Sequence, residues 1–160
     1  MKKYLKLVSA LLALIGLFLM FGTQVTVKWG ASGHTESIGL WALAGTHSFK
    51  YAGDIRSIGS GLAGYILLGV GALIMIAVAL VPYFKDHDML SMVVTGIAVI
   101  CFIIGIILIF LIRKNFQDNN GISDPSVVYV GWAAITAGSL GSLAIASGAL
   151  GMVLDLSGNN

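Results

Sequence analysis

Along the chain, long uncharged apolar stretches alternate with short polar breaks. The stretches cover residues 7–27, 57–84, 89–112 and 125–154. About 20 apolar residues in a helix, at about 1.5 Å each, cross a hydrocarbon core of about 30 Å, so each stretch is long enough to span once. The pattern predicts an all-α membrane protein, a four-transmembrane-helix bundle filling one domain over residues 1–160, with helices at about 4–23, 57–83, 89–112 and 126–154.

The piece between the first two helices follows a different period. Residues 24–29 read Gln-Val-Thr-Val-Lys-Trp, an alternation that puts Val25, Val27 and Trp29 on one face and Gln24, Thr26 and Lys28 on the other. That is the signature of a half-buried strand. Gly30-Ala31-Ser32-Gly33 supplies a reversal, residues 36–43 form a second strand-length run, and Ser48-Phe49-Lys50-Tyr51 alternates again. Three strands with one apolar face are about the minimum for an independent sheet. A small antiparallel β-sheet at about 24–52, in the first extracellular loop, is therefore expected.

Composition narrows the function. At 58% hydrophobic and 10% charged residues the chain does not have the make-up of a soluble domain. A net charge of +2, with no dense Lys or Arg run, gives no footprint for nucleic acid. The single cysteine, Cys101, lies within the third stretch, so neither an intrachain disulfide nor a Cys-based metal site can form.

No Asp, Glu, Lys, Arg or His interrupts any of the four stretches, and proton relays, coupled transporters and charge-ring filters usually need such residues at membrane depth. Ser91, Thr95 and Cys101 have no base on their own helix to activate them. No enzyme, cofactor or catalytic residue is expected. His34 and Glu36 alternate onto one face, and His47 could approach them to complete a three-ligand site. These residues and His87, between Asp86 and Asp88, read instead as solvated loop positions, and no metal is assigned.

Lys2, Lys3 and Lys6 ahead of a Leu-rich run resemble the start of a secretory signal peptide, but no small-residue cleavage site follows. The segment reads as a retained signal-anchor. Its lysines put the N-terminus in the cytoplasm, and an even number of spans returns the C-terminus to the same side of the cell membrane. Residues 85–88 leave room for only a tight turn between the second and third helices, whereas residues 113–124 read as a polar loop with Asn119-Asn120-Gly121 as turn chemistry.

Within the fourth stretch, Ala134, Gly138, Ser142 and Ala146 recur every fourth residue, and Ala133, Ala137 and Gly141 form a second small row. Small residues at this spacing let helix backbones approach closely. The second helix, with its own glycines, is the expected neighbour, and the Ile- and Val-rich third helix reads as more exposed to acyl chains.

In its layout the chain resembles the claudin-like tetraspan superfamily, which includes claudins, the peripheral myelin and epithelial membrane proteins, and the calcium-channel gamma-type accessory subunits. The resemblance rests on four helices, a sheet-forming first loop, Trp29 followed by Gly39-Leu40-Trp41, and Arg56 just before the second helix. The two loop cysteines of that superfamily are absent. It implies a tetraspan scaffold or accessory subunit that associates laterally, through self-association or a membrane protein partner, within the lipid bilayer.

The same residues have physical roles of their own. Trp29 and Trp41 can wedge the sheet onto the helix ends, Gly39 allows close backbone approach, and Arg56 can bond loop carbonyls or lipid phosphates. Phe49 and Tyr51 sit on a strand whose edge could accept a partner. Two rival functions remain: a permeation subunit of an oligomeric channel or transporter, its pore lined by Ser139, Ser142 and Ser147, and a membrane immunity or stress protein.

Overall fold

The computed structural model describes residues 2–29, 33–45, 47–49, 53–85 and 87–157. Four long helices dominate it: α1 (Lys2–Phe18), α3 (Gly59–Leu80), α4 (Asp88–Phe110) and α6 (Trp132–Leu156). Each is long and apolar enough to cross a membrane. They form a ring in which α1 packs on α3 and α6, and α4 packs on the same two from the opposite corner. The expected pairing of the second and fourth helices is therefore replaced by a diagonal relation. Across that diagonal α3 reaches α6 through long side chains, Leu68 against Gly141 and Met75 against Gly148.

Glycines set how close the ring can draw. A Cβ on Gly64 would lie 2.7 Å from the Gly105 carbonyl oxygen, and one on Gly105 would lie 2.8 Å from that of Gly64, so α3 and α4 touch backbone to backbone there. On α6 the buried face runs through Ala133, Ala134, Ala137, Gly138, Gly141, Ala144, Gly148 and Gly151. Ala134 and Gly138 of the four-residue row face inward, but Ser142 and Ala146 are exposed. Each step of four residues turns about 40° past a full circle, which carries a strict four-residue row off the contact face.

At one end of the bundle, the first connection holds β1 (Val25–Trp29), β2 (His34–Ile38), a short helix α2 (Trp41–Ala44) and a hairpin of β3 (His47–Phe49) with β4 (Gly53–Ile55). The second holds α5 (Ile112–Asn120), a 3-10 turn (Pro125–Val127) and β5 (Val128–Val130). Residues expected as a polar loop thus form a helix with Ile112 and Phe116 buried, ended by Gly121 in the left-handed region at φ 64°. The last helix begins at Trp132, later than its hydropathy suggests.

A three-stranded antiparallel sheet is present, in the order β2-β1-β5. Its third strand comes from the second connection at that end. Residues 48–49, expected to supply that strand, pair instead with β4, with His47 opposite Ile55 and Phe49 opposite Gly53. Trp41, expected within a strand, opens α2.

At the other end of the bundle a 3-10 turn, Pro82–Lys85, joins α3 to α4. Val81, held extended ahead of Pro82, stops α3. Lys6, near the start of α1, meets Asp155, near the end of α6, so the start of α1 and the end of α6 lie at this end, opposite the sheet.

Candidate functional site

The sheet end carries the surface residues on which function was expected. Register places Val25 between Ile38 and Val130, and Val27 between Glu36 and Val128. Val25, Val27, Ile38 and Val128 are buried and face the bundle, while Thr35, Ser37 and Tyr129 point outward. The predicted alternation holds for the valines. It fails at Gln24, assigned to the polar face but fully buried.

Gln24 explains how the cap is fixed to the helices. Its side-chain N–H groups donate to the carbonyls of Leu19 at 2.8 Å and Gly22 at 3.2 Å, and its carbonyl accepts from the Tyr65 hydroxyl at 2.7 Å. The backbone on either side is used as well: Gln24 N–H donates to Ile38, and Gly131 N–H donates to Gln24, both at 2.7 Å. A Cβ on Gly131 would overlap the Thr23 carbonyl, so glycine lets the two connections at the sheet end cross in contact.

A second fastening joins α5 to the start of α3. The Arg56 backbone N–H donates to the Asn120 side-chain oxygen at 2.7 Å, and the Asn120 amide donates back to the Arg56 carbonyl at 3.2 Å. Asn119 donates to the Ser57 carbonyl and Asn115 to the Ser60 hydroxyl. Three asparagines thus occupy polar groups at a helix start whose own cap residue, Ile58, has no side-chain hydrogen bond. The Arg56 guanidinium is exposed. Asp124 caps the following 3-10 turn, and the Ser126 hydroxyl and backbone N–H hold its carboxyl below the usual aspartate range.

The remaining expected residues are spread over this cap. Trp29 ends β1 opposite His34, at the tip of the hairpin, whereas Trp41 follows β2 at its base. Their backbones stand at opposite ends of the hairpin. Gly39 lies where a Cβ would come within 3.1 Å of the Gly22 carbonyl, and Leu40 supplies the carbonyl that receives the Leu43 N–H at 2.9 Å. Leu43, buried against Gly61, seats α2 on α3. Phe49 lies in β3, and Tyr51 falls outside the described residues.

Glu36 shares a face with His34, but His47 lies in the other sheet. Among the described residues no three metal-ligating side chains gather. Ser139, Ser142 and Ser147 each donate to a carbonyl three or four residues back on α6, so their protons are spent within the helix.

The opposite end holds a cluster that the sequence reading missed. The Lys6 ammonium donates to Asp155 Oδ2 at 2.6 Å and to Ser91 Oγ at 2.7 Å, and the Ser91 hydroxyl donates to the same Asp155 oxygen at 3.1 Å. The Lys6 and Asp155 side chains are 4% and 2% exposed, so ionisable groups are buried in the bundle after all. Neither interrupts an uncharged stretch: Lys6 precedes the first and Asp155 follows the last. Side chains from three helices thus meet in one hydrogen-bonded group.

No family model, no curated protein and no solved structure matches this chain.

Proposed function

We propose that this chain is a non-enzymatic, multi-pass membrane protein of claudin-like plan. It acts as a scaffold or accessory subunit through its extracellular sheet and lateral helix packing, with both termini cytoplasmic. The membrane part of this reading is supported by the outward faces of the helices. Leu11, Ile15, Leu73, Ile97, Ile104 and Leu150 are exposed apolar residues, far more than a soluble monomer presents. Exposed aromatics mark both ends, Tyr4 and Tyr83 at one, Phe21 and Trp132 at the other, as interfacial belts do. Hydroxyls bonded within α6 suit an apolar surrounding.

The observation that carries the interaction reading is the construction of the cap. Strands from both of its connections share one sheet, and Gln24 and Tyr65 fasten it to the bundle core. A loop that served solely to connect helices would need neither feature. With α5 beside β5, the other edge strand is β2, which has no further strand paired on it among the described residues and whose Thr35 and Ser37 are exposed. A partner strand or loop can dock along such an edge. Of the docking edge expected at residues 48–51, residues 48–49 lie in β3 and residues 50–51 fall outside the described residues.

A photo-crosslinking side chain at Thr35 or Ser37, in native membranes at native abundance, is expected to trap a discrete complex. The same probe at Met89, exposed at the opposite end, should not trap it. Recovery of free monomer from both positions, or solute flux through proteoliposomes of the isolated chain, would count against the scaffold reading.

A further inference from the structure

The two ends of the bundle are held by different means. At the sheet end, α1 runs on into β1 and β5 runs into α6, and those strands are hydrogen-bonded to each other. At the other end a turn joins α3 to α4, while α1 meets α4 and α6 through side chains.

The polar cluster sits at that position. Lys6 comes from α1, Ser91 from the first turn of α4, and Asp155 from the last turn of α6. The lysine stem passes Gly151 on its way to Asp155: a Cβ there would stand 3.4 Å from Lys6 Cγ, an ordinary contact that leaves room for a small side chain. Thr95 donates to the Ser91 carbonyl at 2.7 Å and completes the polar layer. A weaker outer link, Lys2 to Asp88 at 3.8 Å, joins α1 to α4 where both groups meet solvent. One turn deeper on α1, Ser9 donates to the Ala144 carbonyl at 2.6 Å, and beyond it the α1–α6 contact is made by small residues.

We infer that Lys6, Ser91 and Asp155 form a charge latch that closes the ring at the end opposite the sheet, and that releasing it parts α1 from α6 there while the cap stays folded. The physical basis is an asymmetry. A buried pair is compensated while intact, but removing one partner leaves a buried charge with no counter-ion, and the nearest relief is to separate the helices and admit water. The cap is fastened by independent hydrogen bonds at the far end of the same helices and is not drawn into that opening. The inference concerns the opposite end of the molecule from the proposed docking edge and does not depend on it.

Two engineered disulfides, each in a Cys101→Ala background in membranes, report the two ends separately. A Cβ built on Gly151 lies 3.8 Å from Leu5 Cβ, within the range for a disulfide, so L5C/G151C reads the latch. The hydroxyls of Thr26 and Ser37 are 3.3 Å apart on neighbouring strands, so T26C/S37C reads the cap. Lys6→Met and Asp155→Asn are expected to slow the first crosslink about fivefold or more and leave the second unchanged, with Lys6→Arg close to the parent in both. Three results would overturn the latch: neutral variants within about twofold of the parent at the first pair, loss of both crosslinks together, or Lys6→Arg as open as Lys6→Met.

Discussion

At Gly64 and Gly105 a single hydrogen in place of a side chain decides how near two helices come. The carbonyl of each faces the α-carbon of the other, so the nearest atom that a methyl on either would meet belongs to backbone. Backbone cannot swing aside as the end of a leucine can. Gly64→Ala is expected to lower stability by about 1–3 kcal/mol, the cost of overpacking a close contact. Gly96, also on α4, is the control: its nearest neighbour would be the Met152 sulfur at 3.6 Å, an ordinary contact with a flexible side chain. Gly96→Ala should leave stability unchanged or raise it by up to about 1 kcal/mol through helix propensity. Thermal unfolding of the two variants in one detergent tests the contrast, and equal melting points would refute the close-contact argument. Small residues were visible in the sequence, but their partners were not. Periodicity gives a residue's angle on its own helix and says nothing of which helix lies opposite. For that reason the close backbone approach expected of α3 on α6 is found between α3 and α4, the neighbours that the tight turn at residues 85–88 implies, and α3 reaches α6 by side chains alone.

At the scale of elements, legibility followed the strength of the hydrophobic pattern. The four long helices were plain because each is uncharged for longer than a bilayer requires. β1 was plain because its valines alternate. α5 was not: its sequence, IRKNFQDNN, is dominated by polar residues, and its buried pair, Ile112 and Phe116, is too short a stripe to stand out. What keeps α5 in place is polar too. Asn120 binds the backbone N–H and carbonyl of Arg56 and also donates to Phe116 in its own helix. Asn120→Ala removes both bonds to Arg56 and should cost about 1–2 kcal/mol, since partly exposed backbone groups regain water. Amide exchange at Arg56 should quicken while the middle of α4 keeps its protection. Unchanged exchange at Arg56 would mean that α5 rests on its two apolar side chains and that the asparagines contribute nothing.

Across the whole molecule, contacts between distant parts of the chain were the hardest to foresee. Lys6 and Asp155 are 149 positions apart and flank the uncharged stretches, where each looks like an ordinary boundary charge. Likewise β5 is three residues long, too brief to be recognised without β1 beside it. Yet its place in the sheet makes the two connections at that end one unit, and that has a measurable consequence. Lys28 is an exposed trypsin site within β1, protected as long as that strand stays paired on β2 and β5. Val128 is buried beneath the sheet, whereas Tyr129, next to it, is 49% exposed on the outer face. A carboxylate at position 128 must be desolvated without a partner or the strand must detach, so Val128→Asp should speed cleavage at Lys28 about tenfold or more. Tyr129→Asp puts the same charge into water and should leave the rate near that of the parent. The two substitutions differ by one position and lie a hundred residues along the chain from the cut. A difference between them therefore reports pairing through the sheet, and if both left Lys28 equally protected, the two connections would have to be regarded as folding apart.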